Sequence, residues 1–368
     1  MSLSELEAAL AGFAGTDPYR AKQIFARIAR GASSFDEMTD LPRPLRRRLG
    51  KTFFLRGSRV SGAMEDRDGT VKLALTLADG AVVETVLLRA PAGKAEGRGR
   101  FTACLSSQAG CPLGCVFCKT GSLGFLRNLE ASEIVEQFLT LAALVPPGEV
   151  SPGQRGISRI VVMGMGEPLL NLSSLRKALE ILCDPAGSGF SRRRITISTA
   201  GICGGIMELA EKGPETELAL SLTSAREELR RRLMPGTAGN SLARIKEALG
   251  VFRTRRGRRI TLEAVLLGGI NTGGKDARAF VNFARGLDAV VNLIPWNPVP
   301  GLRFEERALQ PPSPKETEEF RLMLEQGGLK VTRRYRRGRG IGGACGQLGG
   351  ILPNQGDSAA VRAFPSLS

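Results

Sequence analysis

The first segment of the chain, residues 1–53, carries apolar side chains at helical spacing. Ser4–Phe13 and Tyr19–Ala29 place them three or four positions apart, which predicts two amphipathic helices. Pro18 stands where a helix tolerates proline, in the first turn of the second helix. The segment ends on the basic run Arg46-Arg47-Arg48. This pattern predicts a small helical accessory domain with a basic end.

From Phe54 to Leu88 the pattern changes from helical spacing to alternation. Val71–Leu77 and Ala81–Leu88 lie on either side of Asp79-Gly80. Because glycine supplies the positive φ of a tight turn, the two runs predict a β-hairpin. Glu84 interrupts the second run, where an isolated acid is most often an outward-facing strand residue.

Beyond residue 100, short apolar runs alternate with amphipathic stretches. Strands that alternate with helices indicate a parallel sheet with right-handed crossovers. The predicted fold class is therefore α/β, a partial barrel of six β/α units, with its chemistry at the C-terminal strand ends. The predicted strands are Phe101–Ser106, Ser158–Met163, Arg194–Ser198, Glu217–Leu222, Ile260–Leu266 and Val290–Ile294. The predicted helices are Ala131–Leu144, Ser173–Leu182, Gly205–Lys212, Ala225–Leu233, Ser241–Phe252, Lys275–Leu287 and Lys315–Gln326.

These elements predict four segments. Residues 1–53 form the accessory domain, and 54–100 form the hairpin extension with a connector rich in glycine and charge. Residues 101–352 form the barrel, and the polar tail 353–368 has the composition of a disordered segment.

Composition narrows the class of partner. The 368 residues carry a formal net charge of +16 and no histidine. Such a charge favours a polyanionic partner, because neutralising phosphates releases counterions. No apolar run approaches the ~20 residues of a membrane span, and the N-terminus lacks a secretory signal. Seven cysteines, an odd number without an export signal, predict reduced thiols in the cytoplasm.

Three cysteines, Cys111, Cys115 and Cys118, follow the first barrel strand at C-x3-C-x2-C spacing. Their thiolates can converge on one centre, but they are one short of the four that close a zinc site or a standard iron–sulfur cluster. One interpretation is a cluster with one iron open to a small molecule. The alternative is a zinc knuckle completed by Cys104, another cysteine or a carboxylate.

The surroundings of these cysteines resemble a known family. Phe101–Leu129 is similar to the radical S-adenosylmethionine (radical SAM) enzymes that methylate adenosines of ribosomal and transfer RNA, the RlmN/Cfr family. The similarity runs from about Asp17 to about Leu348. Further matches, in order, are Ala81–Leu88, Val161–Pro168, Ile195–Gly201, Val291–Pro298 and Ala344–Leu348.

The resemblance implies the cofactors and their ligands. Cys111, Cys115 and Cys118 would hold a 4Fe-4S cluster. S-adenosylmethionine, two molecules per turnover, would be bound by Gly166, Glu167, Ser198, Ser221, Leu222, Thr223 and Asn297. Two departures from the family pattern stand out. Thr223 replaces the usual histidine, and Gly338–Gly343 replaces acidic residues, which predicts a more flexible and more positive loop.

The resemblance also implies a mechanism and partners. Cys345 would carry the methyl group and join it to the adenine, and Cys104 would release the product through a transient disulfide. Glu84 or Cys104 would accept the ring proton. The implied substrate is C2 of an adenosine in 23S ribosomal RNA, with transfer RNA as a second candidate. The implied electron donor is a one-electron reductant such as flavodoxin. We expect the enzyme to be a monomer. Methylation at C8 and a non-enzymatic zinc-knuckle protein that binds RNA stay as alternatives.

Overall fold

The computed structural model describes residues 1–13, 17, 19–90, 100–146, 156–333 and 337–350. The features predicted at Pro18, through most of the connector after Ala90, and in the tail 353–368 lie outside these residues.

Three helices form the N-terminal part of the chain: α1 Leu3–Ala11, α2 Tyr19–Ala29 and α3 Arg43–Thr52. Ser2 caps α1, where its hydroxyl accepts from the Glu5 backbone and the Glu5 carboxylate accepts from the Ser2 backbone. The apolar faces enclose a core of their own, and Ile181 and Ala186 of the barrel pack against it. The predicted helical module is confirmed and rests on the outside of the barrel.

A single mixed sheet of ten strands organises the rest of the described chain. Its first three strands pair antiparallel, and the third pairs antiparallel with the first barrel strand. From that strand onward every pairing is parallel. In spatial order the strands are β1 Arg59–Glu65, β2 Val71–Thr76, β3 Val82–Ala90, β4 Arg100–Cys104, β7 Ile157–Val162, β8 Ile195–Thr199, β9 Glu217–Ser221, β10 Ile260–Leu266, β11 Ala289–Pro295 and β14 Lys330–Arg333.

Two small antiparallel pairs lie outside this sheet: β5 Gln108–Gly110 with β6 Phe125–Asn128, and β12 Arg303–Phe304 with β13 Arg307–Ala308.

Helices connect the parallel strands, and their apolar faces bury the leucines and isoleucines of one continuous core. In the described ranges, no helix combines the length and apolar character needed to cross a bilayer. The helices are α4 Lys119–Ser122, α5 Ala131–Ala143, α6 Leu172–Cys183, α7 Cys203–Lys212, α8 Glu227–Leu233, α9 Leu242–Arg256, α10 Gly274–Ala284 and α11 Pro314–Gln326.

The α/β partial barrel is confirmed, with two additions that the pattern did not predict. The hairpin extension has a third strand, β1, and continues into the barrel sheet through β3 and β4. A seventh parallel strand, β14, adds to the edge of β11. Its sequence Lys-Val-Thr-Arg is short and half charged. This suits a strand that is paired on one edge among the described residues and leaves most of its side chains exposed.

Candidate active site

Most of the predicted site residues meet in one cleft at the C-terminal ends of the parallel strands. The cleft has an empty volume of about 970 Å³ and is open to solvent on one side. All three motif cysteines and Cys345 line it. The other predicted residues in its lining are Gly166, Glu167, Ser198, Ser221, Thr223 and Asn297. Leu222 is not among them, because its side chain is fully buried in the main core.

The cysteine loop is fixed by backbone contacts from three sides. The Val116 amide donates to the Leu233 carbonyl at 3.0 Å, and Lys119 N donates to Gly346 O at 2.8 Å. The indole Nε1 of Trp296 donates to the Phe117 carbonyl at 2.8 Å. The loop is therefore held rigidly before any group binds to it.

Burial makes the three thiols poor acids on their own. Desolvation raises the pKa of Cys111 to about 12 and raises the pKa values of Cys115 and Cys118 as well. Within the described residues, no three His, Cys, Asp or Glu side chains lie close enough to share a single ion. The three cysteines line one cleft, and a metal cluster bound there would hold them as thiolates, the ligands that iron–sulfur clusters use.

The strand-end motif Gly164–Glu167 packs its backbone against residues 105–108, which lead into the cysteine loop. Gly166 has φ +101°, and a Cβ there would lie 2.6 Å from the Gln108 Cβ. Only glycine fits such a position. The buried Glu167 carboxylate accepts from Leu169 N at 3.1 Å and from Ala200 N at 2.7 Å, while burial raises its pKa. The motif thereby places one fixed carboxylate in the wall of the cleft.

Two buried polar atoms in this wall lack partners among the described residues: Thr223 Oγ1 and Asn297 Oδ1. Thr223 also has φ +56°, which is unusual for a β-branched residue and is the kind of strain found at functional sites. Ser198 and Ser221 hydroxyls lie 3.2 Å apart beside them. Orphaned donors and acceptors around a cleft of this size fit a polar organic ligand such as S-adenosylmethionine.

A second cavity, of about 1280 Å³ empty volume, adjoins the first and contains both predicted catalytic cysteines. Cys104 ends β4, and Cys345 lies on the C-terminal loop, where Asn297 Nδ2 donates to its carbonyl at 3.0 Å. All seven cysteines are thiols in the structure. Three arginines, Arg159, Arg333 and Arg337, complete the wall. Cys345 and Asn297 line both cavities and so connect them.

The C-terminal loop is held by acids from the hairpin extension. Gly338 N donates to Asp68 Oδ2 and Gly340 N donates to Asp66 Oδ2, both at 3.0 Å. The expected flexibility of this glycine-rich loop stays a prediction, but two of its amides have fixed carboxylate partners. The loop itself lacks the acidic residues of the family pattern. Asp66 and Asp68, on the β1–β2 turn, supply carboxylates that bind its glycine amides directly.

Glu84 is fully buried, so the outward-facing interpretation of this residue is wrong. Its carboxylate pairs with Lys72 Nζ at 3.0 Å and accepts from Gly349 N at 2.6 Å. Burial raises its pKa, and the charge of Lys72 opposes that rise. Among the described residues that line the two cavities, Glu84 does not appear. The pair instead ties the hairpin extension to the loop that carries Cys345.

We expect Glu84→Gln to lower the free energy of unfolding by about 3–5 kcal/mol, because Lys72 would remain buried with its charge unpaired. Adding Lys72→Met removes that charge and should restore most of the loss. Denaturant unfolding of the apoprotein measures both. The exposed pair Lys315–Glu319, 3.9 Å apart, is the control, and Glu319→Gln should leave the transition unchanged. Equal losses in the single and double variants would contradict this account.

Sequence reasoning missed two buried cations, Lys72 and Arg230. Lys72 was part of the alternating hairpin pattern, and Arg230 stands in the run Arg230-Arg231-Arg232, which is typical of an exposed helix face. Yet both side chains are almost wholly buried. Residue type does not distinguish Arg230 from Arg231 and Arg232. The available signal is its position in the helical period, between the apolar Leu229 and Leu233.

Comparisons with known proteins agree with this geometry. Residues 105–281 match the radical SAM superfamily, and residues 1–55 match the ribosomal RNA large subunit methyltransferase N-terminal domain. The crystal structure of a radical SAM methyltransferase from Sphaerobacter thermophilus superposes with a TM-score of 0.87 at 36% identity, covering 95% of this chain and 97% of that one. The partial barrel and its cysteine loop place the chain among the radical SAM enzymes, and the similarity over nearly the whole chain is to a methyltransferase of that superfamily.

Curated relatives narrow the class further. A probable dual-specificity RNA methyltransferase RlmN from Treponema denticola is 49% identical over 333 residues, 90% of each chain. The dual-specificity RNA methyltransferase RlmN of Anaeromyxobacter is 41% identical over 352 residues, 95% of this chain and 89% of the relative. The chain belongs to the RlmN family of radical SAM RNA methyltransferases. Membership implies an iron–sulfur cluster and S-adenosylmethionine as cofactors, and the non-enzymatic zinc-knuckle alternative is wrong.

Proposed function

We propose that the enzyme methylates C2 of an adenosine in 23S ribosomal RNA, and an adenosine of transfer RNA as well. It would act as a monomer, use two S-adenosylmethionine molecules per turnover and draw electrons from a donor such as flavodoxin. The observation that carries the proposal is the cavity that Cys104 and Cys345 share beside the cleft of Cys111, Cys115 and Cys118. The dual specificity in the relatives' names supports a second RNA substrate.

The residues of the cleft would take the roles that their positions suit. Cys111, Cys115 and Cys118 would hold the cluster, and Gly166, Glu167, Ser198, Ser221, Thr223 and Asn297 would surround S-adenosylmethionine. Leu222 would contribute only through its backbone. Cluster and S-adenosylmethionine supply the radical chemistry and the methyl group that an unactivated aromatic carbon requires.

The two cysteines of the second cavity would carry out the protein's own chemistry. The Cys345 thiol would accept the methyl group and carry it to the base. The Cys104 thiolate would then attack the Cys345 sulfur. The bond from that sulfur to the product carbon breaks, the carbon takes up a proton to become the methyl group, and the two sulfurs remain as a disulfide that reductants reopen. Of the two candidates for the ring proton, Cys104 lines the cavity and Glu84 does not. We therefore assign the ring proton to Cys104, which would accept it as a thiolate and release it to solvent before attacking Cys345, and we assign to Glu84 the placement of the Cys345 loop.

A base can reach this cavity only when it is unstacked, so we infer a looped-out adenosine of folded RNA as the substrate. The C8 alternative shares the same residues. Mass spectrometry of digested ribosomal and transfer RNA from a deletion strain tests the choice. We expect 2-methyladenosine to disappear and to return on complementation. Loss of 8-methyladenosine instead would establish the alternative.

RNA binding should depend on the arginines that line the second cavity and not on Arg253, which lies at the opposite ends of the strands. Arg333 and Arg337 line the cavity, whereas Arg253, which precedes β10, pairs with Asp288 at 3.0 Å at the opposite ends of the strands. Arg333→Gln with Arg337→Gln should flatten the salt dependence of RNA affinity, by about one unit of logarithmic slope for each phosphate that the protein no longer neutralises. Arg253→Gln is the matched control and should keep the slope. Equal slopes in all three proteins would leave the cavity arginines without a role in binding.

A further inference from the structure

Arg230, on the short helix α8, is 1% exposed and is the largest of the described side chains that are fully buried at less than 2% exposure. Its guanidinium donates to the backbone carbonyls of Ala200, Ser221 and Leu222, which follow or end strands β8 and β9. Among the described residues, no carboxylate lies within ion-pair distance of it, and its Nε has no hydrogen-bond partner. The guanidinium is therefore buried with neutral direct partners, these carbonyls and the Met234 Sδ at 3.3 Å, while Glu167 and Glu227 act on its charge without pairing directly with it.

Such an arrangement is costly, and a further negative charge close by would lower that cost. An unpaired buried ion carries a desolvation penalty of several kcal/mol, which carbonyl dipoles offset only in part. The guanidinium keeps its proton at neutral pH, since burial lowers its pKa only to about 10. The charge thus persists in the folded apoprotein, where a nearby anion would stabilise it.

The segment that carries Arg230 packs against the cysteine loop. The Leu233 carbonyl accepts from Val116 N at 3.0 Å, and Gly236 N donates to the Leu113 carbonyl at 2.9 Å. A Cβ at Gly236 would lie 2.5 Å from the Leu113 Cα, so the backbones are in direct contact there. Neither segment can shift without the other. The distance between the guanidinium and the cysteine sulfurs is consequently fixed by the fold.

We propose that Arg230 is the buried counter-charge of the iron–sulfur cluster held by Cys111, Cys115 and Cys118, and that it raises the reduction potential of that cluster. This inference rests on the proposed cluster ligands. Three thiolates around the cluster core give a net negative charge, which grows by one when an electron arrives from a donor of the flavodoxin class. A fixed cation nearby stabilises the reduced form more than the oxidised form. No bond forms or breaks in this step.

The substitutions separate charge from packing. Arg230→Gln removes the charge and keeps an amide donor, whereas Arg230→Lys keeps the charge and loses the planar fork. Arg231→Gln is the matched control, because Arg231 is the next residue on α8 and is exposed. Each protein is reconstituted anaerobically, its iron is counted, and the midpoint potential is measured by a redox titration followed by electron paramagnetic resonance.

We expect Arg230→Gln to disfavour the reduced cluster by at least about tenfold, a fall of about 59 mV for a one-electron couple. Arg230→Lys and Arg231→Gln should stay close to the wild-type midpoint. A Gln variant with full iron and an unchanged midpoint overturns the proposal, as does a Lys variant that falls equally far. Wild-type protein that takes up no iron would instead contradict the proposed function.

If Arg230→Gln binds no iron, thermal melting of its apoprotein shows whether the defect lies at the cluster site or in the fold. An apoprotein that melts like wild type but binds no iron supports the counter-charge role, because the defect then lies at the cluster. An apoprotein that is already unfolded would make Arg230 a residue that the core requires, and would overturn the proposal.

Discussion

Cys104→Ala is expected to stop with RNA covalently attached to the enzyme, whereas Cys345→Ala is expected to attach none. Cys345 carries the methyl group, so its loss prevents any bond to the base. Cys104 acts only after the new carbon–carbon bond has formed, so its loss leaves the thioether link between Cys345 and the adenine unresolved. Both variants should lose turnover completely, and only the bound RNA distinguishes them.

Denaturing electrophoresis of the purified variants, with and without ribonuclease, measures this difference. Cys203→Ala is a suitable control, because Cys203 is buried on α7 and lines neither cavity among the described residues. It should turn over normally and release its RNA. Turnover by Cys104→Ala, or RNA trapped on Cys345→Ala, would reverse or remove the assigned roles.

The residues that the sequence correctly predicts to line the cleft either lie within one loop or end predicted parallel strands. Cys111, Cys115 and Cys118 lie within one loop, so their convergence needs no knowledge of the rest of the chain. Ser198 and Ser221 are separated in sequence, but each ends a predicted parallel strand, and parallel strands end at the same edge of a sheet. Fold class and cleft could therefore be predicted together.

The residues that the sequence did not place depend on contacts between distant segments. Lys72 and Glu84 are 3.0 Å apart across two paired strands, and Gly349, which completes their site, is far along the chain. Asp66 and Asp68 stabilise a glycine loop that looks unsupported in sequence. In each case a charge that would be a solvated surface group in isolation is buried by an element that packs over it.

Arg230 is the clearest case of a charged residue whose burial depends on contacts between distant segments. In sequence it is one of three consecutive arginines at the end of a helix, and such a run is typically solvated. In the structure, α8 turns that one side chain inward, to the ends of two strands. Only the packing of α8 on the cysteine loop gives this arginine a relation to the cluster.

Replacement of Cys111, Cys115 or Cys118 by alanine should abolish the cluster and all reductive cleavage of S-adenosylmethionine. Iron is expected to fall from about four atoms per chain to none, since a cluster with two protein thiolates is held too weakly to survive purification. Iron analysis, the absorbance of the anaerobic protein and 5′-deoxyadenosine production measure the loss.

The apoproteins should remain folded, which separates loss of ligand from loss of structure. The loop is held by Val116, Lys119 and Trp296 through backbone contacts that the substitutions leave in place. Burial raises the pKa of Cys111 to about 12, so the apoprotein holds a neutral thiol there and alanine removes no buried charge. Cys203→Ala again serves as control and should keep its iron. Any of the three variants that still produces 5′-deoxyadenosine at the wild-type rate would show that its cysteine is not a cluster ligand.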